Sequence, residues 1–254
     1  MTVDDHQRRF GALDRLFGVA GAARISASHV AVVGIGGVGS WSAEALARSG
    51  VGRLTLIDLD HIAVSNVNRQ IHALEPSLGQ AKVLAMKERI ALINPACEVT
   101  CVEEFVDPEN WPELLPPGVT AVIDACDQVK AKLAMAVWAR RADVLFIAVG
   151  AAGGKRHAHL VDIDDLASTT HDPLLAQLRY RMRKHHGAPA SGKKIGTMCV
   201  FSREPVRSPG VECATPTDGS LNCHGYGSSV GVTATFGFCA ASWVLDRIAA
   251  QAPG

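Results

Sequence analysis

The sequence lacks cysteines paired in the C-x-x-C spacing of a zinc or redox motif. Its seven cysteines are Cys97, Cys101, Cys126, Cys199, Cys213, Cys223 and Cys239. None stand in C-x-x-C spacing, and an odd count leaves one over. That argues against a four-cysteine zinc site and against a disulfide framework. Neither sign of charge is in excess: 25 lysines and arginines face 25 aspartates and glutamates. A neutral chain can attract nucleic acid only through a local patch. The first residues lack the pattern of a signal peptide, so a cytoplasmic location is expected. Long uncharged runs are scarce too. The stretch Ser228 to Leu245 is about 18 residues, the lower edge of a membrane span. It carries Gly, Ser, Thr and Cys, and Asp246 and Arg247 follow directly. A buried helix packed closely on the sheet is expected there, with no stable membrane insertion.

What is present is apolar and rich in glycine. With 254 residues and 48% apolar content, the chain can bury a sizeable core. The pattern predicts an α/β fold. It is a Rossmann-like, doubly wound, mostly parallel sheet with helices on both faces and a C-terminal extension. Three parts are expected: a helical arm over 1–28, a nucleotide-binding part over 29–170, and a C-terminal part over 171–254 completing the same globule.

The stretch from His29 to Asp60 organises the rest. His29 to Val33 reads as a buried parallel strand. Gly34, Gly36, Gly37 and Gly39 follow at once, then a helical pattern with Val38, Trp41, Ala45 and Leu46 on one face. A second strand, Leu54 to Ile57, ends in Asp58. Glycines let the backbone approach a phosphate, and the next helix offers it free N–H groups. Asp58 stands about 20 residues past the glycines, where a carboxylate can take ribose hydroxyl protons. This is a nucleotide site by context, but the loop alone does not choose between NAD, FAD and ATP.

Other polar residues fall at strand ends, where ligands sit in such sheets. Asn66, Asn68, Arg69 and Gln70 crowd after the second strand. Arg69 suits bidentate phosphate contact. Lys82 lies in the first turn of the helix predicted over Gly79 to Asn94, where a cation is unfavourable unless an anion compensates, which points to a phosphate contact. The alternative is an exposed lysine. Val119 to Ile123 reads as a strand ending in Asp124 and Asp127. Asp127 can hold magnesium, and Asp124 can cap the next helix. That helix, Gln128 to Arg141, is expected to turn Val129, Leu133, Ala136 and Val137 inward. Further strands are expected over Val144 to Val149, His159 to Ile163 and Ile195 to Ser202.

Two segments stand apart. The helix from Asp172 to Gly187 has an apolar face of Leu174, Leu175, Leu178 and Met182. Arg179, Arg183 and His186 share another stripe, and Arg181, Lys184, Lys193 and Lys194 lie nearby. This is a solvated face or a nucleic-acid contact. Arg203 to Gly227 reads as a long irregular loop carrying Cys213 and Cys223. Neither has an evident histidine partner, so a nucleophilic role finds little support. At the N-terminus, Arg8, Arg9 and Arg15 read as solvated charges on a docking helix.

The motifs GIGGVGSW, LIDLD, NVNRQIHAL and DACD at these spacings resemble the E1-like adenylating enzymes, the group of ThiF and MoeB. The resemblance covers residues 8 to 163. It implies that Gly34, Gly36, Gly37 and Gly39 lie under ATP phosphates and that Asp58 holds ribose, with Asp60 beside it. It implies that Asn66, Arg69 and Lys82 hold the triphosphate and that Asp127 binds Mg2+. Arg15 matches an arginine that reaches into a neighbour's ATP, which implies a homodimer. A monovalent cation, K+ or Na+, is a further implied accessory.

HDPLLAQLR, Cys199 to Ser202 and VTATFGFCAAS are similar to one branch of that family, over nearly the whole chain. That branch acts on threonylcarbamoyladenosine beside the tRNA anticodon. The implied reaction adenylates its carboxylate and closes a ring, with loss of water. The basic residues Arg179, Arg183, Lys184, Lys193 and Lys194 would then contact tRNA. Cys223 matches a loop cysteine of relatives, and the resemblance brings with it a sulfur-relay role and a cysteine desulfurase partner as expectations. The main alternative is an adenylyltransferase for a carrier protein ending in Gly-Gly. Others are a nicotinamide oxidoreductase and a tRNA-binding module with a vestigial nucleotide site.

Overall fold

The computed structural model describes residues 3–142, 144–207 and 226–251. Seven strands form one sheet in the order β3-β2-β1-β4-β5-β7-β6. They are β1 (His29–Val33), β2 (Arg53–Ile57), β3 (Glu98–Val102), β4 (Ala121–Asp124), β5 (Leu145–Val149), β6 (Val161–Asp165) and β7 (Met198–Ser202). All neighbours pair parallel except β6 and β7. The doubly wound α/β fold expected from the sequence is the fold observed.

Strand alternation builds two cores. Val30 and Val32 of β1 face one side, with Leu54, Leu56 and Ile123. Ala31 and Val33 face the other, with Val122, Phe146 and Phe201. The first side is covered by α1 (Val3–Ala27), α2 (Gly39–Arg48), α3 (Lys82–Ile93) and α6 (Val230–Ala250). The second is covered by α4 (Val129–Ala139) and α5 (Pro173–His185). Strands buried on both faces explain the near-continuous apolar runs.

The uncharged run near the C-terminus is α6. Val232, Phe236, Ala240, Val244 and Ile248 recur every fourth residue and are all buried. Burial of each large side chain stabilises by about 1.5–3 kcal/mol. Gly237 lets α2 come close: a Cβ there would meet the Val38 carbonyl oxygen at 2.5 Å. Ser42 Oγ donates to the Gly237 carbonyl across this contact at 3.0 Å. Among the described residues, no helix is long and apolar enough to cross a membrane.

Several local expectations shift. α3 starts at Lys82 rather than Gly79, because Gly79 has φ +81° and the chain turns there. β6 starts at Val161, after a 3-10 turn over Ala158–Leu160. In α4 the residues buried are Val129, Ala131, Lys132, Met135 and Ala136, while Leu133 and Val137 are only half-buried. The inward face is set by Lys132, which a periodicity count scores as polar. In α2, Trp41 and Ala45 are half-buried, and Ser42, Ala43, Leu46 and Ala47 are buried. That helix packs against both the sheet and α6, so two of its faces are covered.

Candidate nucleotide site

The sheet reverses its winding between β1 and β4, so a crevice opens at their carboxyl ends. The chain leaves β1 through Gly34, whose φ of +84° suits glycine. Gly34 N–H donates to the Ile57 carbonyl at 2.8 Å. A Cβ on Gly34 would press on the Ala125 carbonyl oxygen at 2.9 Å, and one on Gly39 would overlap the Gly34 oxygen at 1.8 Å. These two glycines close the turn. Gly36 is different: nothing lies within 4 Å of where its Cβ would be. Gly37 faces Arg69, whose Cγ and Cδ would stand 3.3 Å from a Cβ there.

Asp58 ends β2 and is buried. Its Oδ2 accepts from Ile35 N–H at 2.6 Å and its Oδ1 from Asp60 N–H at 2.8 Å. The carboxylate thereby ties β2 to the glycine turn. Burial pushes its pKa up, while Lys82 and the two amides oppose that rise. Lys82 is buried, not exposed. Its Nζ lies 2.6 Å from Asp60 Oδ2 and 3.9 Å from Asp58 Oδ1. These are the compensating anions that a lysine at a helix start calls for.

Asn66 and Arg69 belong to the connection between β2 and α3. Asn66 Oδ1 accepts from Ala63 N–H at 3.0 Å, closing a 3-10 turn. Arg69 Nη1 donates to the Ser65 carbonyl at 2.7 Å and to Asn68 Oδ1 at 2.9 Å. Trp41 Nε1 donates to the Arg69 carbonyl at 2.9 Å, and Asn68 Nδ2 donates to the Ser228 carbonyl at 3.0 Å. The arginine is thus held beside the open glycine turn.

Asp127 stands half-buried past β4, and burial raises its pKa. Its own backbone amide, Lys132 and Lys82 oppose the rise, and Asp60 adds to it. Among the described residues no group of three or more His, Cys, Asp or Glu could hold a metal by itself. A single carboxylate suits magnesium shared with phosphate oxygens. Asp124 does not cap α4, whose N-cap is Gln128. It forms a fully buried ion pair with Lys132, at 2.8 Å with both side chains 0% exposed. Asp124 Oδ1 also accepts from Cys126 N–H at 3.2 Å. Lys132 was not singled out in the sequence. The only signal for it was a second lysine, two residues after Lys130, on an otherwise apolar helix just past DACD.

The remaining candidates lie elsewhere. Arg15 stands on the exposed side of α1, beside Leu16 and Val19, which are 72% and 75% exposed. Arg179 Nη1 donates to the Leu166 and Thr169 carbonyls and to Thr169 Oγ1, and Arg183 Nε donates to the Pro189 carbonyl. Both therefore brace loops of their own chain. Lys184, Lys193 and Lys194 are exposed. Cys213 and Cys223 lie outside the described residues. Burial raises the pKa of all five described cysteines, Cys97 to about 12, so none is poised as a thiolate.

Comparison with known proteins places this geometry. The ThiF family profile matches residues 10–250. The chain belongs to the ThiF family. Among members of that family, a tRNA threonylcarbamoyladenosine dehydratase of Escherichia coli strain K12 is 43% identical over 258 residues, covering 98% of this chain and 96% of that protein. A Haemophilus influenzae protein of the same name is 42% identical over 248 residues, covering 97% and 95%. The crystal structure of the E. coli enzyme, TcdA, in complex with ATP matches with a TM-score of 0.86 at 43% identity, covering 95% and 94%. The ThiF-family match spans both the glycine turn and the basic helix, well beyond the first βαβ unit.

Proposed function

We propose that this ThiF-family chain is an ATP-dependent dehydratase of threonylcarbamoyladenosine in tRNA. The observation that carries this reading is the near full-length likeness to enzymes of that name, one of them solved with ATP. The site chemistry agrees with it. Gly36 leaves backbone open to a phosphate, Arg69 is a buttressed cation against the neighbouring Gly37, and Lys82 is a cation held by Asp60 and Asp58. Asp58 is a buried carboxylate suited to ribose hydroxyls.

In the proposed reaction, the substrate carboxylate attacks the α-phosphorus of ATP and pyrophosphate leaves. Lys82, Arg69 and the amide of Asn66 stabilise negative charge on the transferring phosphate. Asp127 would hold a magnesium ion, which when bound neutralises phosphate charge. The ureido group then attacks the acyl-adenylate carbonyl, a ring closes, and AMP departs with the carboxylate oxygen. The attack is intramolecular, so no enzyme nucleophile is required. The high thiol pKa values of the described cysteines agree with that.

The arm over 1–28 would deliver Arg15 to the ATP of a second copy in a homodimer, with residues 29–170 binding nucleotide and 171–254 completing the substrate side. A tRNA substrate implies a cytoplasmic setting. A sulfur-transfer partner would act through Cys223. The test is AMP formation driven by different acceptors. Release of AMP that needs tRNA carrying the linear modification supports the reading. Release that needs a Gly-Gly carrier tail instead would select the adenylyltransferase alternative.

A further inference from the structure

α5 carries Arg179, Arg181, Arg183 and Lys184 and no acidic residue between Pro173 and His185. The hydrogen bonds of Arg179 and Arg183 to backbone carbonyls fix their guanidinium groups in place while leaving their charge. Between them the surface dips into a cavity of about 370 Å³ lined by Ala176, Arg179, Tyr180, Arg183 and Lys184. Its wall is thus one small side chain, one aromatic ring and three cations. Tyr180 is 59% exposed. Lys184 Nζ lies 5.3 Å from the centre of its ring and donates to its hydroxyl at 3.0 Å.

The Tyr180 ring stands out of the core, tethered only at its hydroxyl by Lys184 among the bonds described. A π-face edged by fixed cations is what an unpaired nucleobase and its phosphates require. An acidic protein partner would use the cations and the ring alike, but the tRNA substrate proposed above selects RNA as the occupant. A double helix presents no free base face. Asp172, the N-cap of α5, accepts from Ala151 N–H just past β5, so α5 begins at the carboxyl end of the sheet, the end that carries the glycine turn. Tyr180 lies two turns further on, about 12 Å along the axis.

The geometry points to the Ala176–Lys184 groove as a stacking site for an unpaired base of the substrate RNA, with Tyr180 as platform and Lys184 as phosphate partner. This rests on the tRNA reading and adds which surface, and which feature of the RNA, is read. Arg179 and Arg183 set the local potential and hold the groove's shape.

The test is binding of two labelled RNAs to the full chain. One is an anticodon stem–loop with its loop unpaired, and the other is a fully paired duplex of equal length. Tyr180→Ala is expected to weaken stem–loop binding roughly five- to hundredfold and to leave duplex binding unchanged. Tyr180→Phe keeps the ring and is expected to bind like the parent. Lys184→Ala is expected to lower the slope of log affinity against log salt by about one. Equal stem–loop affinity for Tyr180→Ala and the parent overturns the groove alone, leaving the tRNA reading intact. Equal weakening toward both RNAs also overturns it, because stacking must prefer the loop. If the parent binds ATP but neither RNA, both the groove and the tRNA reading fall. Tyr180 is largely exposed, so its truncation should leave thermal unfolding unchanged, which verifies the fold of the variant.

Discussion

Replacing Lys132 by methionine should destabilise the protein severely, although Lys132 is a lysine on a helix. Its ammonium lies 2.8 Å from Asp124 and neither side chain is exposed. Burial disfavours its charged form, but Asp124 outweighs this and its pKa is raised. Lys132→Met keeps the length and apolar stem and removes the charge with its N–H donors, including the one to the Asp124 carbonyl. Asp124 is then a buried carboxylate with no cation. Breaking such a pair from one side costs about 3–5 kcal/mol. For a chain of this size each kcal/mol lowers Tm by roughly 2–4 °C, so a fall of about 6–20 °C is expected. Asp124→Asn keeps an acceptor for Cys126 N–H while removing the second charge. The double variant should therefore recover most of the loss, because a charge-free pair carries little desolvation penalty. Urea unfolding of the four proteins gives the coupling energy directly. A Lys132→Met variant within about 1 kcal/mol of the parent would refute the reasoning. So would a double variant whose loss equals the sum of the single losses.

Two further outcomes follow from buried groups. His72 is 3% exposed, and burial, aided by Lys82 and Arg89, lowers its pKa from 6.5 to about 4. The unfolded chain therefore binds a proton there between those values while the native one does not, so stability falls as pH drops through that window. The full loss is about 3 kcal/mol. His72→Leu should flatten that part of the curve of unfolding free energy against pH; an unchanged slope assigns it to other groups. Lys82→Ala should slow AMP formation about 10²- to 10³-fold in single turnovers, the usual loss for one donor to a developing anion. A change confined to ATP affinity would instead give Lys82 a role in binding only.

The readable part of the molecule was the part with local causes. The run His29–Val33, the glycine turn and Asp58 at the end of β2 each follow from residue types at short spacing, and the structure joins them by hydrogen bonds. Lys82 at a helix start points to a nearby anion, read from the sequence as phosphate; the anions that the structure sets beside it are Asp58 and Asp60, which no local pattern pairs with it. The insertion of β7 between β5 and an antiparallel β6 depends on pairing between distant segments, which no local pattern encodes. Lys132 was illegible because its partner sits at the end of a strand eight residues earlier, and polarity alone places a lysine outside. Arg179 and Arg183 read as free charges, since a sequence does not show which backbone carbonyls will lack donors. The shape of the Tyr180 groove depends on those same bonds.

The central claim is the reaction. Its most direct test is mass spectrometry of nucleosides from tRNA that bears linear threonylcarbamoyladenosine, incubated with this protein, ATP and magnesium. The account predicts loss of one water from that nucleoside, dependent on ATP and abolished by Asp127→Ala. An unchanged nucleoside, from protein that is folded and binds ATP, would contradict it.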